Sequence, residues 1–403
     1  MKYKFFLIII LILILGIISN PASSVKSAKD GLNLWFNVLL PSLLPFLILS
    51  DLLISLGFVD MFGKFLEPVM KPLFNISGAG AFPLTMSFIS GYPVGSKLTS
   101  KLRKDNTLDK FEAERLIGFA STSGPLFILG AVLIGMLNSP KYSLLLIIPH
   151  YLGAITLGLI LSLYKKKDKD YVNYKKSNKH VFEELSKYSK KDKEDEVESI
   201  GILISNSIKD SMESIIMIGG YVIIYAVIID QLISSNAFNV IIHNISKYLP
   251  VNEEILKGLA AGFIELTTGC KKIASSNISL INKIVVINFL IGWAGLSIHS
   301  QAISFISKTD ISTKVYLVSK FFHGLFSCIY TYIIYLILYR GNVINTSFFP
   351  SYTTESFNPS IWTSRFLGSV KLSLSMVVFF ILFSIFVHQL QMEKHAKRKR
   401  TKG

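Results

Sequence analysis

The stretch SFISGYPVGSKLTSKL, residues 87–102, decides the fold. The chain on either side is apolar enough to enter a lipid bilayer. Here two glycines, a proline, several hydroxyls and two lysines arrive together. Proline removes a backbone donor and glycine frees the backbone, so Gly91, Pro93 and Gly95 oppose a continuous helix. Lipid cannot hydrogen-bond free N–H and C=O groups, so irregular backbone at bilayer depth must be buried in protein or line a cavity. The next residues, KLRKDNTLDK (101–110), are strongly charged and stay on the cytoplasmic side under the positive-inside rule. A segment that begins and ends inside must turn back. Residues 80–102 are therefore expected to form a re-entrant hairpin.

The chain has 403 residues, of which 51% are hydrophobic, and a mean hydropathy of +0.49. A soluble protein of this length needs more polar surface. The apolar runs are continuous rather than alternating, which excludes an outer-membrane barrel. The net charge of +16 collects in residues 165–199 and in the tail EKHAKRKRTKG. Such flanks set topology and attract anionic lipid, so membrane lipid is the expected partner and nucleic acid is not. Cys270 and Cys328, the two cysteines, both lie in apolar segments, giving no disulfide framework and no metal site. No cofactor is expected.

The fold class is an all-α polytopic membrane protein with about eight transmembrane helices plus two re-entrant hairpins. The expected crossings are 5–19, 34–59, 114–137, 143–164, 211–233, 281–306, 314–339 and 366–390. Residues 61–74 and 239–249 are amphipathic and lie near the inner and outer interfaces respectively. The chain divides into an N-terminal anchor or signal segment (1–30), a first repeat (31–164) with hairpin 80–102, and a charged cytoplasmic segment (165–199). A second repeat (200–340) with hairpin 254–276 follows, then an outer loop (341–365), a final transmembrane helix (366–390) and a basic cytoplasmic tail (391–403).

The repeat is read from two alignments. LIGFASTSGPLFI (116–128) lines up with LIGWAGLSIHSQA (290–302), and Phe88-Ile89 and Lys97 line up with Phe263-Ile264 and Lys272. Each half runs span, amphipathic piece, broken hairpin, glycine-broken span, span. The first unit starts outside and the second inside, so this is an inverted-topology repeat. Its usual consequence is a site near the bilayer midplane built from broken helices of both halves.

The candidate substrate-binding residues follow from that reading. Ser90, Gly91, Tyr92, Gly95 and Lys97 lie in the first hairpin. Ser121, Ser123 and Gly124 lie in the break that follows it. Freed amides, hydroxyls and half-helix N-termini there suit a polar solute with an anionic group. Glu265 is an acid in an intramembrane stretch, a costly placement that usually faces a cavity or a partner. Thr267 and Thr268 form the turn beside it. His299 and Gln301 belong to a polar cluster after Trp293. His150 and His323 are read as packing residues. No GxSxG, P-loop or HExxH pattern is present, so no catalytic residue is assigned and the chain is not read as an enzyme.

Together SFISGYPVGSK and ASTSGPLFILGAVLIGML, with GFIELTTG and GWAGLSIHSQ in the second half, resemble the YlbJ family of sporulation integral membrane proteins of endospore-forming bacteria. That family carries the nucleoside-recognition, or Gate, domain, so both repeats are Gate-like under this resemblance. It implies a multi-pass protein of the mother-cell membrane around the forespore, needed to make the spore cortex. It supplies no established substrate and no functional residues. Combined with the repeat, it points to transport of a small polar solute, nucleoside-like or cortex-related. The alternative is a non-transporting membrane scaffold for cortex-building enzymes, with cortex-synthesis proteins or a second copy of the chain as partners.

Overall fold

The computed structural model describes residues 2–165, 199–248 and 252–339, and every regular element among them is helical. The charged segment 166–198, the outer loop 341–365, the crossing 366–390 and the tail 391–403 lie outside the described residues. In chain order the helices are α1 (Lys2–Ser19), α2 (Pro21–Leu34), α3 (Leu40–Ser55), α4 (Phe58–Phe74), α5 (Ala81–Ser90), α6 (Val94–Lys104) and α7 (Lys110–Phe119). A wide π-type helix, α8 (Leu126–Met136), precedes α9 (Ser143–Leu161), α10 (Ile200–Ser234) and α11 (Asn236–Tyr248). Then come α12 (Glu253–Ile264), α13 (Leu266–Ser275), α14 (Leu280–Trp293), α15 (Gly295–Ile306) and α16 (Thr313–Leu338).

Among the described residues, four segments are long and apolar enough to span a bilayer: α9 with its lead-in turn, α10, α14–α15, and α16. The pair α1 and α2, bent by 108° around Asn20, makes a fifth if it counts as one span. Besides the crossing 281–306, which is interrupted at Ala294 between α14 and α15, two expected crossings are cut into shorter pieces. In 34–59 a π-type turn at Trp35–Leu39 precedes α3, which carries Pro45 inside it. In 114–137 the hydroxyl-rich residues 120–125 separate α7 from α8. Proline and serine–threonine runs offer the backbone alternatives to the helical ladder, which is why length alone overcounted continuous helices.

Both broken stretches double back. Around Gly91, at φ +86°, the chain turns so sharply that a Cβ on Gly95 would lie 2.8 Å from the Ser87 Cβ and 1.7 Å from the Ala120 carbonyl oxygen. Around Glu265, a Cβ on Gly269 would sit 2.1 Å from the Gly262 Cα. Neither site has room for a side chain: α12 and α13 meet backbone on backbone, while Gly95 packs against the Ser87 side chain of α5 and the Ala120 carbonyl of the break that follows the hairpin.

The frame holding the hairpins is the pair α9 and α16. They run antiparallel: Leu161 and Ser319 meet beside Gly118 at one end, and the rings of Tyr142 and Tyr339 lie 5.3 Å apart at the other. One apolar cluster gathers the α5–α6 hairpin with Leu157, Ile306 and Tyr316. A second gathers Leu266, Cys270 and Ile273 of α13 with Leu145, Ile284 and Tyr339. The two hairpins thus pack at opposite ends of the α9–α16 pair.

At the α5–α6 end, charged loops tie the two halves together. Arg103 donates to both oxygens of Asp310 at 2.8 and 3.0 Å, and Ser312 N–H donates to Glu114 at 3.1 Å; within the first half Arg115 donates to the Tyr164 carbonyl at 3.0 Å. The Arg103 hydrogen bonds hold the Asp310 carboxyl below the ordinary carboxylate range. A carboxylate depressed in the folded state stabilises above its unfolded pKa, and that stability fades as pH falls through the folded value.

Two outcomes are expected. Gly95→Ala lowers the melting temperature in detergent by more than 5 °C, on the order of 3 kcal/mol of overpacking, whereas Gly220→Ala, which has open space around it, shifts it by about a degree or less. Asp310→Asn costs at most about 1 kcal/mol at pH 7, because the Asp310 carboxylate is half exposed. The gap between Asp310→Asn and the native chain closes in melts below about pH 4.

Candidate functional site

Helix α16 is apolar along most of its length but carries Lys320 and His323, three residues apart and so on one face. Both are fully buried, at 0% exposure. The Lys320 ammonium donates to the Ser121 carbonyl at 2.6 Å, lies 3.2 Å from His323 Nδ1, and sits 5.1 Å from the centre of the Tyr92 ring. His323 Nε2 is 2.9 Å from the His150 carbonyl, so Nε2 carries the proton and Nδ1 accepts from the lysine. The His150 and His323 rings lie 4.6 Å apart, and His150 Nε2 accepts from the Ser123 amide at 3.0 Å. The His150 imidazole thereby satisfies the Ser123 amide that the break at 120–125 left free, while His323 bonds a carbonyl of α9.

The break itself rests on the first hairpin. Gly91 lies so close to Gly124 that a Cβ would fall 2.5 Å from the Gly124 nitrogen. Ser87 Oγ accepts from the Thr122 amide at 3.0 Å, and the Tyr151 hydroxyl lies 3.0 Å from the carbonyls of both Phe88 and Ser123. Tyr92 reaches across to the second half, where its hydroxyl donates to the Ile291 carbonyl of α14.

The second hairpin approaches from the other side. Gly295, at φ +81°, lies against the carbonyls of Gly262 and Ile264, and Trp293 Nε1 donates to the Phe263 carbonyl at 3.2 Å. The Trp293 ring is 4.4 Å from that of His299, whose Nδ1 lies 3.1 Å from the Tyr316 hydroxyl. Tyr316 is one turn before Lys320 on α16.

The electrostatics of this centre are lopsided. Among the described residues no carboxylate pairs with Lys320; its partners are a carbonyl, an imidazole and an aromatic face. Burying an ammonium among neutral acceptors is costly, and the cost is relieved by a negative charge beside it or by loss of the proton. Three buried polar atoms of the hairpin and its neighbours, Ser90 Oγ, His150 Nδ1 and His299 Nε2, also have no hydrogen-bond partner.

Of the sequence candidates, Tyr92, Ser121, Ser123 and His299 converge on this centre. Gly91 and Gly124 form its backbone contact, and Gly95 serves hairpin packing. Lys97 points elsewhere: with Lys101 it bonds the buried Asp51 of α3, at 3.1 and 3.3 Å. Glu265 accepts from the amides of Thr267 and Thr268, at 2.8 and 2.7 Å, and so caps the start of α13 within its own hairpin. Gln301, two residues after His299, is buried on another face of α15. Lys320 and Tyr316 escaped the sequence reading, and His150 and His323, read as packing residues, lie in the centre. The signal for them was present: a lysine with a histidine three residues on, in the first half of a 26-residue apolar helix.

Comparison with known sequences adds two findings. The profile of the Gate family, described as nucleoside recognition, matches residues 36–157, which carry α3 to α9 and hence the first hairpin, Ser121, Ser123 and His150. The chain is similar to the sporulation integral membrane protein YlbJ of Bacillus subtilis (strain 168), with 33% identity over 336 residues, 81% of each chain. No solved structure matches.

The two buried lysine sites should respond oppositely to neutralisation. Lys320→Met removes a charge that no carboxylate balances, so the melting temperature is expected to hold or rise. Asp51→Asn strands two ammonium groups and is expected to cost about 3–5 kcal/mol, seen as a large drop in the same melt.

Proposed function

The chain belongs to the YlbJ family of sporulation integral membrane proteins, and on that footing we propose that it carries a small polar solute with an anionic group across a sporulation membrane. The observation that carries this reading is the buried Lys320 centre between two hairpins that enter from opposite ends of the α9–α16 pair. Midplane sites between discontinuous helices are the common architecture of secondary transporters. The solute's anionic group pairs with Lys320, and Tyr92, Ser121, Ser123, His150 and His299 contact the rest of it. A neutral nucleoside leaves the lysine unbalanced, so an anionic cortex-stage metabolite fits better.

The two units, 31–164 and 200–340, form an inverted-topology repeat in this proposal. Support comes from matching contacts: Phe88 and Phe263, aligned in sequence, each offer a carbonyl to an aromatic donor, Tyr151 and Trp293. Each hairpin tip also abuts the break of the following span. The membrane is the mother-cell membrane around the forespore, and the process served is cortex formation. Glu265 keeps the second hairpin tip in shape for the solute. A scaffold role for cortex-building enzymes makes the opposite demands, tolerating changes at Lys320 and needing residues 165–199.

In a strain lacking the native protein, Lys320→Met is expected to reach the membrane at normal level yet abolish cortex formation. An anionic metabolite then accumulates in the mother cell when the two sporulation compartments are compared. Normal cortex with Lys320→Met, together with its loss on deleting 165–199, selects the scaffold instead. Asn106→Cys labelled only from the cytoplasm and Asn277→Cys only from outside is the topology the repeat requires; labelling from one face ends it.

A further inference from the structure

At the α5–α6 end, a cleft of about 370 Å³ opens between α6, α10 and the end of α15. Its walls have opposite signs. Helix α6 presents Lys97, Ser100, Lys101 and Lys104 at helical spacing, with Asp105 just beyond; α10 presents Asp210, Glu213 and Ser214. Phe305, Lys308 and Thr309 close the floor. The described structure shows no ion pair joining the basic wall to the acidic one.

The buried edge of the cleft has unspent charge and an unspent donor. Lys97 and Lys101 share one carboxylate, Asp51, so that group of three carries one net positive charge. Asp51 is 1% exposed and Lys97 8%, so solvent screens the excess poorly. Ser100, 5% exposed, lies between the two lysines in sequence, and its hydroxyl has no hydrogen-bond partner. Two ammonium groups against one carboxylate, with a free hydroxyl beside them, leave room for a second anionic group. The opposite wall repels a ligand that is anionic at both ends and attracts one whose far end is a cation.

We propose that this cleft binds a small zwitterion, its carboxylate or similar anionic end on Lys97, Lys101 and the Ser100 hydroxyl, its ammonium end on Asp210 and Glu213. The anionic end competes with Asp51 for the two lysines, so occupancy loosens the tie between the α5–α6 hairpin and α3. If the cleft is the first station of the solute path, a point that rests on the transport reading, the solute bears a cationic group as well. Binding itself does not depend on that reading.

The test uses the full chain in nanodiscs with Cys270→Ser and Cys328→Ser, and Thr309→Cys on the cleft floor as a thiol reporter. The probes are 4-aminobutyrate, butyrate and butylammonium, each read as protection of the thiol from a neutral methanethiosulfonate reagent. Half-protection by 4-aminobutyrate is expected at a concentration at least tenfold below that for butyrate, with no protection by butylammonium. The double variant Asp210→Asn, Glu213→Gln should bring 4-aminobutyrate to the level of butyrate, and Lys101→Gln should weaken both at least tenfold; Asp210 and Glu213 are exposed, and Lys101→Gln leaves Lys97 paired with Asp51, so folding is preserved. Equal protection by all three probes, or none by any, overturns the site. Butyrate matching 4-aminobutyrate in the unchanged walls overturns the zwitterion. Protection as expected with normal cortex in Lys320→Met leaves the cleft standing and removes the transport reading alone.

Discussion

A lysine buried at the centre of this membrane protein, with no carboxylate partner among the described residues, governs the architecture. Lys320 is held by a carbonyl that exists as a free acceptor only because the chain breaks at residues 120–125. That break survives at depth because the α5–α6 hairpin, His150 and Tyr151 satisfy the amides and carbonyls it exposes. The hairpin can approach only because Gly91, Gly95 and Gly124 let backbone touch backbone. Remove any one of these conditions and the others lose their physical justification.

The contrast with Lys97 sharpens the point. Both lysines are buried, and both lie in elements that form the α5–α6 hairpin or touch it. Lys97 has a carboxylate 3.1 Å away and shares it with Lys101. Lys320 has neutral partners throughout. A paired charge is chiefly a matter of geometry and register, while an unpaired one is an open valence for something that comes and goes. Under the transport proposal that difference makes Lys320 the group that meets the solute in the core, while Lys97 ties the α5–α6 hairpin to α3 and lines the neighbouring cleft.

The two halves also differ in how they treat their breaks. In the first, imidazole, tyrosine and serine side chains from several helices fill the gaps left in the ladder. In the second, Glu265 caps its own turn through Thr267 and Thr268, and Trp293 covers the Phe263 carbonyl. The second tip is therefore largely self-sufficient, and it reaches the centre only through the Trp293–His299–Tyr316 contacts. The two breaks thus carry unequal chemistry, with most polar groups on the side matched by the Gate profile.

Composition and local pattern by themselves determined the membrane setting, the helical class, and where the chain must break, because bilayer solvation and the backbone chemistry of glycine and proline act within a few residues. They also marked Tyr92, Ser121, Ser123 and His299. Which of the candidates meet was decided only by the antiparallel α9–α16 pair, since contacts between residues such as Ser121 and Lys320 depend on helix packing that no short window encodes. Lys320 was visible as an oddity in an apolar helix; that it lies opposite a broken carbonyl rather than a carboxylate is a fact of three dimensions. Glu265 shows the converse, a costly acid whose partners turned out to be the two amides next to it, because a helix start supplies unsatisfied N–H groups wherever it occurs.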